Sequence, residues 1–469
     1  MGPATDTPES IEKMLAAGVD VVRMNFSHGE AEDHIKRAQM VYDAAERLGK
    51  TVAILGDLQG PKIRIERFEN DKVIINDGDT FILDPKLDKF AGTVERVGIA
   101  YKELPNDLVS GDELLLDDGR IVLEVSEVKG DEIYTKVIVG GVLSNNKGIN
   151  KRGGGISADA LTEKDKEDIK TAAKIGVDFL AVSFPRNADD LNLARSLMHE
   201  AGGDAAIVSK IERAEAVVQP VLDEIINASD VIMVARGDLG VEIGDAQLPL
   251  MQKKLIARAR TLNTVVITAT QMMETMIENT IPTRAEVFDV ANAVMDGTDA
   301  VMLSGETAMG KHPDKVVLAM SKICEEAEKS GKKSKHRIGL HIDRIDEGIA
   351  MSTMYAANHM GVKGIGALTE SGTTVLWMSR ISSGIPIYAM TQKKKTCRKV
   401  AMYRGVYPVL MQETLTDSRE ADGIVAKQLI DDGIVSNGDL VIMTHGDLLG
   451  AGTDGGTNQM KVIRIDDHV

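Results

Sequence analysis

The sequence predicts an α/β protein built on a (β/α)8 barrel of the TIM type, with an all-β lid inserted into it and a separate α/β domain at the C-terminus. Three observations predict it. Seven short apolar, β-branched runs alternate with helical segments, the alternation breaks once for a block of strand pairs, and it resumes late in the chain as a second α/β series. Regular alternation of this kind belongs to parallel sheets covered by helices.

The chain opens with "MGPATDTPESIEKMLAAG", where Gly2-Pro3 reads as a turn and residues 8–17 as a helix. The apolar runs are "VDVVRMNF" (19–26), "TVAILGDL" (51–58), "VDFLAVSF" (177–184), "AAIVSKIE" (205–212), "VIMVARGD" (231–238), "TVVITATQ" (264–271) and "DAVMLSGE" (299–306). They are continuous rather than alternating, which suits parallel strands buried on both faces. Between them, segments such as "ADDLNLARSLMHEAGG" and "LPLMQKKLIARARTLN" carry apolar residues at three-and-four spacing, the mark of an amphipathic helix. A closed barrel needs eight strands. The first strand is therefore expected to be missing, through a mis-assigned start or a truncation, leaving two unpaired edges beside the mouth.

In residues 62–147, "KVIINDGDTFIL", "DELLLDDGRIVLEV" and "VKGDEIYTKVIV" read as strands joined by Asp-Gly or Gly-Asp turns. After the lysine-rich joint "EKSGKKSKHR" come five strands, "VKGIGALT", "IPIYAMT", "VYPVLM", "DLVIMT" and "QMKVIRID". The expected domains are residues 1–61 (barrel, first part), 62–147 (lid), 148–325 (barrel, second part) and 326–469 (C-terminal regulatory domain).

Composition narrows the function. A hydrophobic share of 43% and a charged share of 27% are those of an ordinary globular chain, not a disordered or fibrous one. The net charge of −17 argues against a nucleic-acid or membrane-surface partner, so an anionic substrate must meet locally gathered cations. Cys324 and Cys397 form no CxxC and are expected as reduced thiols. No run of eighteen apolar residues and no signal-peptide layout occurs, so the expected location is the cytoplasm.

In barrels of this type the chemistry sits at the C-terminal strand ends. There the runs place Arg23 and Asn25, Asp57, Ser183, Lys210 and Glu212, Asp238, Thr270 and Glu306. Lys210 and Glu212 lie two apart and so share a face, either as a solvated ion pair or as part of a site. Asp238 favours the site. It ends the next strand, and neighbouring strands are about 4.8 Å apart, so Glu212 and Asp238 are placed to share one cation. Two carboxylates with open positions suit Mg²⁺. Gly237 offers bare backbone to a ligand, and Lys210 a cation for a developing enolate or a group to move a proton. Arg23, Arg64 in "GPKIR" and Lys147 in "NNKGIN" add cations at the mouth and lid hinges, as phosphoryl transfer requires. Thr270 is either a helix N-cap or a hydroxyl aimed at the substrate. The turn in "LTESGTT" (368–374) either presents amides to a phosphate or simply caps a helix.

The strings "RMNFSHG", "GPKIR", "NNKGIN", "LTEKDKEDI", "VSKIERAEA", "MVARGDLGVEI", "ITATQMMETM", "PTRAEVFDVANAVMDGTDAVMLSGETA" and "TESGTT" together resemble the pyruvate kinase family over nearly the whole chain. The resemblance implies phosphate transfer from phosphoenolpyruvate to ADP, giving ATP and pyruvate. It implies Lys210 as transition-state stabiliser, Glu212 and Asp238 as ligands of Mg²⁺ (or Mn²⁺), and Arg23, Lys210, Gly237, Asp238 and Thr270 as substrate contacts. Asn25, His28, Arg64 and Lys147 match the nucleotide positions, and Asn25, Ser27, Asp57 and Leu58 the K⁺ site used by many members. Lys62 stands where many members have Glu, so its ammonium is expected to replace K⁺. Thr369, Ser371, Gly372, Thr373 and Thr374 match an effector pocket for a phosphorylated activator, with Thr373 where several relatives have Arg. A homotetramer is implied as well, with "AEVFDVANAVMDG" as a candidate contact helix. The rival readings are an aldolase or lyase acting on pyruvate enolates, which needs no nucleotide clamp, and a non-catalytic oligomerising module.

Overall fold

The computed structural model describes residues 1–329, 342–381, 383–412, 421–446 and 456–465, so most of the lysine-rich joint lies outside the described residues. Seven parallel strands form the barrel sheet: β1 (Val21–Asn25), β2 (Ala53–Asp57), β3 (Phe179–Val182), β4 (Ala206–Ile211), β5 (Val231–Ala235), β6 (Val265–Ala269) and β7 (Ala300–Met302). They pair strictly in chain order, as right-handed strand–helix–strand units do, with β1 and β7 at the two edges. A groove of about 370 Å³ runs between those edges, lined by Val21, Leu55, Ile267, Met302, Cys324 and Tyr403 among others.

Both faces of the sheet are dry. One set of residues, including Ile54, Leu180, Ile207, Ile232 and Val266, packs outward on the helices. The alternate set, including Leu55, Phe179, Val208, Met233 and Ile267, fills the interior and continues into the C-terminal domain through Ala350, Ile365 and Met402. Each fully buried large side chain stabilises by roughly 1.5–3 kcal/mol. The first helix, Pro8–Ala17, is stopped at both ends by local chemistry. Thr7 accepts from Ser10 N at its start, and Gly18 turns left-handed (φ 118°) at its end.

The inserted lid has its own core around Phe81, Leu83, Leu114, Leu123 and Ile133. Its six-stranded sheet runs in the order Ile149–Lys151, Glu113–Leu116, Ile121–Lys129, Glu132–Val139, Thr80–Asp84, Arg96–Gly98. The tight turn at Asp117, Asp118 and Gly119 has φ of 50°, 57° and 85°, which explains that Asp-Asp-Gly string. Lid hydrogen bonding thus extends to Lys151. In the C-terminal domain all five expected strands form one sheet, with Gln459–Arg464 antiparallel at its edge. That domain is bolted under the barrel by ion pairs from Arg380 to the fully buried Asp299 and from Arg398 to Asp178 (2.7 Å). Among the described residues, no helix is long and apolar enough to cross a membrane.

Candidate active site

The strand ends converge as parallel register requires. Lys210 pairs with Met233 of β5, and Arg23 with Leu55 of β2, so each charged residue lies two residues from the end of a neighbouring strand. The Lys210 ammonium sits 3.0 Å from Glu212 Oε1 and 3.4 Å from Asp57 Oδ1, and donates to Ser183 Oγ at 2.7 Å. Arg23 Nε contacts the other Asp57 oxygen at 2.5 Å. Burial opposes charge on Lys210, but Asp57 and Glu212 outweigh it and hold its pKa above the ordinary value. Burial likewise opposes ionisation of Asp57, yet Arg23 and Lys210 keep its carboxyl below the usual range. Lys210 is thus a buried ammonium held between two carboxylates.

Glu212 is 1% exposed, and its second oxygen accepts from Phe184 N at 2.8 Å. Its pKa is raised, first by burial and further by the charge of Asp238, against the pull of Lys210. Asp238 lies in the first turn of the helix Arg236–Ile243, where the N-terminal dipole favours an anion. The charge of Asp238 adds to the cost of ionising the buried Glu212, and a divalent cation beside them would offset that repulsion. Among the described residues no group of three or more His, Cys, Asp and Glu side chains is placed to hold a metal. Glu212 and Asp238 would hold such an ion by two carboxylates, which suits Mg²⁺.

Thr270 is not a helix N-cap: the segment after it turns through Thr270 and Gln271 with φ of 67° and 52°, and the next helical turn begins only at Glu274. Thr270 Oγ1 accepts from Gly237 N at 2.8 Å, which couples it to the Asp238 turn. Two consecutive non-glycine residues at positive φ store strain. Arg236 holds them there. Its guanidinium donates to Thr270 O (2.7 Å) and Gln271 O (3.0 Å) while making a two-pronged pair with Asp289 (2.7 and 2.8 Å). Sequence reasoning gave Arg236 no role, because its partners come from residues 16 to 53 positions away.

The lid cations are held differently. Arg64 donates to Asn146 O at 2.8 Å, and the Lys147 ammonium lies 2.6 Å from Asp117 Oδ1 inside the lid. The Lys62 ammonium faces Asp238 Oδ1 at 3.5 Å. On the loop after β1, Asn25 Oδ1 accepts from Ser27 N (3.1 Å), and the exposed His28 accepts from His34 through its carbonyl (2.9 Å). Leu58 O accepts from Ser183 Oγ (2.8 Å), linking the end of β2 to the Lys210 cluster.

The family model for the pyruvate kinase barrel domain matches residues 1–317, and that for the pyruvate kinase alpha/beta domain matches residues 347–463. The chain belongs to the pyruvate kinase family. It is 58% identical over 475 residues to pyruvate kinase II of Salmonella typhimurium, covering 99% of this chain and 97% of that relative. Pyruvate kinase of Haemophilus influenzae is 59% identical over 95% of this chain and 94% of its own length. A solved structure of a pyruvate kinase from Cryptosporidium parvum superposes with a TM-score of 0.92 at 33% identity, covering 99% of this chain and 94% of that one. The chain is thus a phosphotransferase of the pyruvate kinase family, and neither the lyase reading nor the non-catalytic module finds support in these likenesses.

In the C-terminal domain, the loop before the helix Thr373–Ser379 is organised by its own hydroxyls. Thr369 Oγ1 accepts from Gly372 N (2.9 Å), Ser371 bonds Thr373 (2.8 Å), and Thr374 bonds Thr457 (2.7 Å). Gly372 adopts φ 87°, and a Cβ there would press on Val400, so only glycine suits this turn.

Proposed function

We propose that this chain transfers the phosphoryl group of phosphoenolpyruvate to ADP at the mouth formed by β1, β4, β5 and β6. The observation that carries the reading is the Lys210 ammonium, kept charged between Asp57 and Glu212 and braced by Ser183. In the reaction the bond from phosphorus to the enol oxygen breaks, and a bond from phosphorus to a β-phosphate oxygen of ADP forms. Arg23 and Lys210 neutralise the substrate's phosphate oxygens, and Lys210 then steadies the enolate left behind. Protonation at the methylene carbon gives pyruvate, with the Thr270 hydroxyl serving the proton relay. The Gly237 amide and Asp238 complete the substrate contacts. Glu212 and Asp238 would hold Mg²⁺ or Mn²⁺, which supplies charge neutralisation for the phosphate and carboxylate oxygens.

Asn25, His28, Arg64 and Lys147 hold the nucleotide as the lid approaches. Lys62, beside Asp238, supplies the positive charge that K⁺ brings in other members, so Asn25, Ser27, Asp57 and Leu58 need no monovalent ion. Residues 369–374 take a phosphorylated activator; flat kinetics across sugar phosphates and AMP would count against that assignment. Phe288 and Met295, seven residues apart on the helix Arg284–Asp296, are both exposed, as is Ile281 in the bend before it, which supports burial against a second copy in a homotetramer. A cytoplasmic location follows from the glycolytic role. The test of the central reading couples pyruvate release to lactate dehydrogenase with phosphoenolpyruvate, ADP and Mg²⁺. NADH oxidation that needs both substrates supports it; none from folded protein refutes it.

A further inference from the structure

The lid returns to the barrel through Ile149–Lys151 and then three successive glycines, Gly153, Gly154 and Gly155, with φ of 80°, 78° and 89°. Such a run is open to all but the narrowest restraint, because glycine has no side chain to limit it. Yet this segment is held at five points by groups that follow the catalytic strand ends. Glu242 O accepts from Gly153 N at 3.1 Å, and Glu242 Oε1 faces Asn150 Nδ2 at 3.5 Å, the limit of a hydrogen bond. Arg213 donates to Ile156 O at 2.7 Å. Glu215 Oε2 accepts from Gly155 N at 3.4 Å, and its carboxylate lies so close over Gly154 that a Cβ there would collide with it.

The same Glu242 side chain reaches the metal side. Its Oε2 accepts from Ala214 N at 2.8 Å, two residues beyond Glu212. Glu242 also sits in the helix whose first turn carries Gly237 and Asp238. It is 6% exposed, and it lines a small cavity shared with Lys62 and Ile63 on the outgoing lid hinge and Asn150 and Gly154 on the return. One carboxylate thus touches the segment behind Glu212, belongs to the helix of Asp238, faces Asn150 on the returning hinge of the lid and shares a cavity with the outgoing one.

We propose that Glu242 is a positioning residue that sets the lid against the metal-bearing strand ends, using Asn150 as its partner on the lid side. It touches neither substrate. Its effect is on how often the lid stands where Arg64 and Lys147 meet the nucleotide, so it rests on the reading of the lid as the nucleotide clamp. An affinity that depends on a partly populated closed state weakens in proportion to that population. Loss of the Asn150 contact is expected to raise the KM for ADP about threefold, equivalent to about 0.7 kcal/mol, the lower end for a hydrogen bond, as suits a contact at the limit of its length. The kcat and the KM for phosphoenolpyruvate are set by Lys210, Arg23 and Thr270, and move little.

The test uses steady-state kinetics of the full chain with Glu242→Ala, Asn150→Ala, the double variant, Glu242→Gln and Arg64→Ala. The expected result is a raised KM for ADP in each single alanine variant at position 150 or 242, with no further rise in the double, since one contact cannot be lost twice. Glu242→Gln recovers most of the affinity, because a flipped Asn150 amide offers its oxygen to the new NH₂ while Ala214 N still finds an acceptor. Independent, multiplicative effects of the two alanines overturn the proposal, as does a fall in kcat with KM for ADP unchanged. Should Glu242→Ala not fold, Asn150→Ala and Glu242→Gln decide alone: an unchanged KM for ADP in Asn150→Ala sinks the inference. Arg64→Ala separates the two levels. If it raises the KM for ADP while Asn150→Ala does not, the clamp reading stands and the Glu242 inference fails; if Arg64→Ala has no effect, the clamp reading itself fails.

Discussion

Arg236 offers the sharpest test of how this site is held together. The side chain is 7% exposed, and its guanidinium reaches the carbonyls of Ala269, Thr270 and Gln271, the Gln252 amide oxygen and both oxygens of Asp289. Replacing it by lysine keeps the charge but leaves three donors in place of five. A lysine that stays with Asp289 can satisfy at most two of the other four acceptors, so at least two oxygens lose this donor. At about 1–3 kcal/mol each, the corner loses on the order of 2–6 kcal/mol. The Thr270–Gln271 turn then has less to offset its strain, which is about 1–3 kcal/mol per residue at positive φ, and Thr270 Oγ1 drifts from the Gly237 amide. A displacement near 1 Å at a reacting centre costs about a hundredfold. Arg236→Lys is therefore expected to lower kcat about 30- to 100-fold, with the KM for phosphoenolpyruvate changing less than about threefold, as measured by coupled pyruvate release. Combined with Thr270→Ala it should cost little beyond the single changes, since both act through one hydroxyl. A kcat within twofold of the parent, or fully multiplicative losses in the double variant, would falsify this account.

Lys210→Met should remove the cation facing the enolate and lower kcat by about 10²–10³-fold or more, with a folded barrel shown by circular dichroism; near-parent turnover contradicts the role. Lys62 predicts turnover in K⁺ within about twofold of turnover in a bulky quaternary ammonium salt, whereas Lys62→Glu should acquire K⁺ dependence; strong activation of the parent by K⁺ refutes it. Burial pushes Glu242 up to about 7, with Glu215 adding to the shift and the Ala214 amide, Arg213 and Asn150 opposing it, and with Lys62 across the same cavity. The folded chain then binds a proton more tightly than the unfolded chain, whose glutamates titrate near ~4.3. This group's contribution to stability is present below that unfolded value and fades as pH rises through about 7. The melting midpoint of the parent should fall from pH 6 to pH 8 more steeply than that of Glu242→Gln; equal slopes would count against the shift.

Residue order alone determined the architecture and much of the chemistry. Continuous, β-branched apolar runs of five or so residues suit strands buried on two faces, and β2, β3 and β5 are buried throughout. Because parallel strands all end on one side, charged residues closing those runs had to share a mouth, and Arg23, Asp57, Lys210 and Glu212 do lie within ion-pair reach there. Ion pairing within a strand, at spacing two, is a local property and so is readable from the string. What the string could not decide was anything set by residues far apart in the chain and free in their side-chain torsions. Thr270 offered two local roles, and only the guanidinium of Arg236, fixed by Asp289 on another helix, selected the strained turn over the helix cap. Lys147 looked like a free cation until folding set Asp117 beside it. Glu242 looked like one more acid on a helix, yet it lies between Ala214 and Asn150, which no local periodicity brings together. Periodicity encodes which face of an element is buried; only the packed structure decides which distant polar groups must satisfy one another once water is gone.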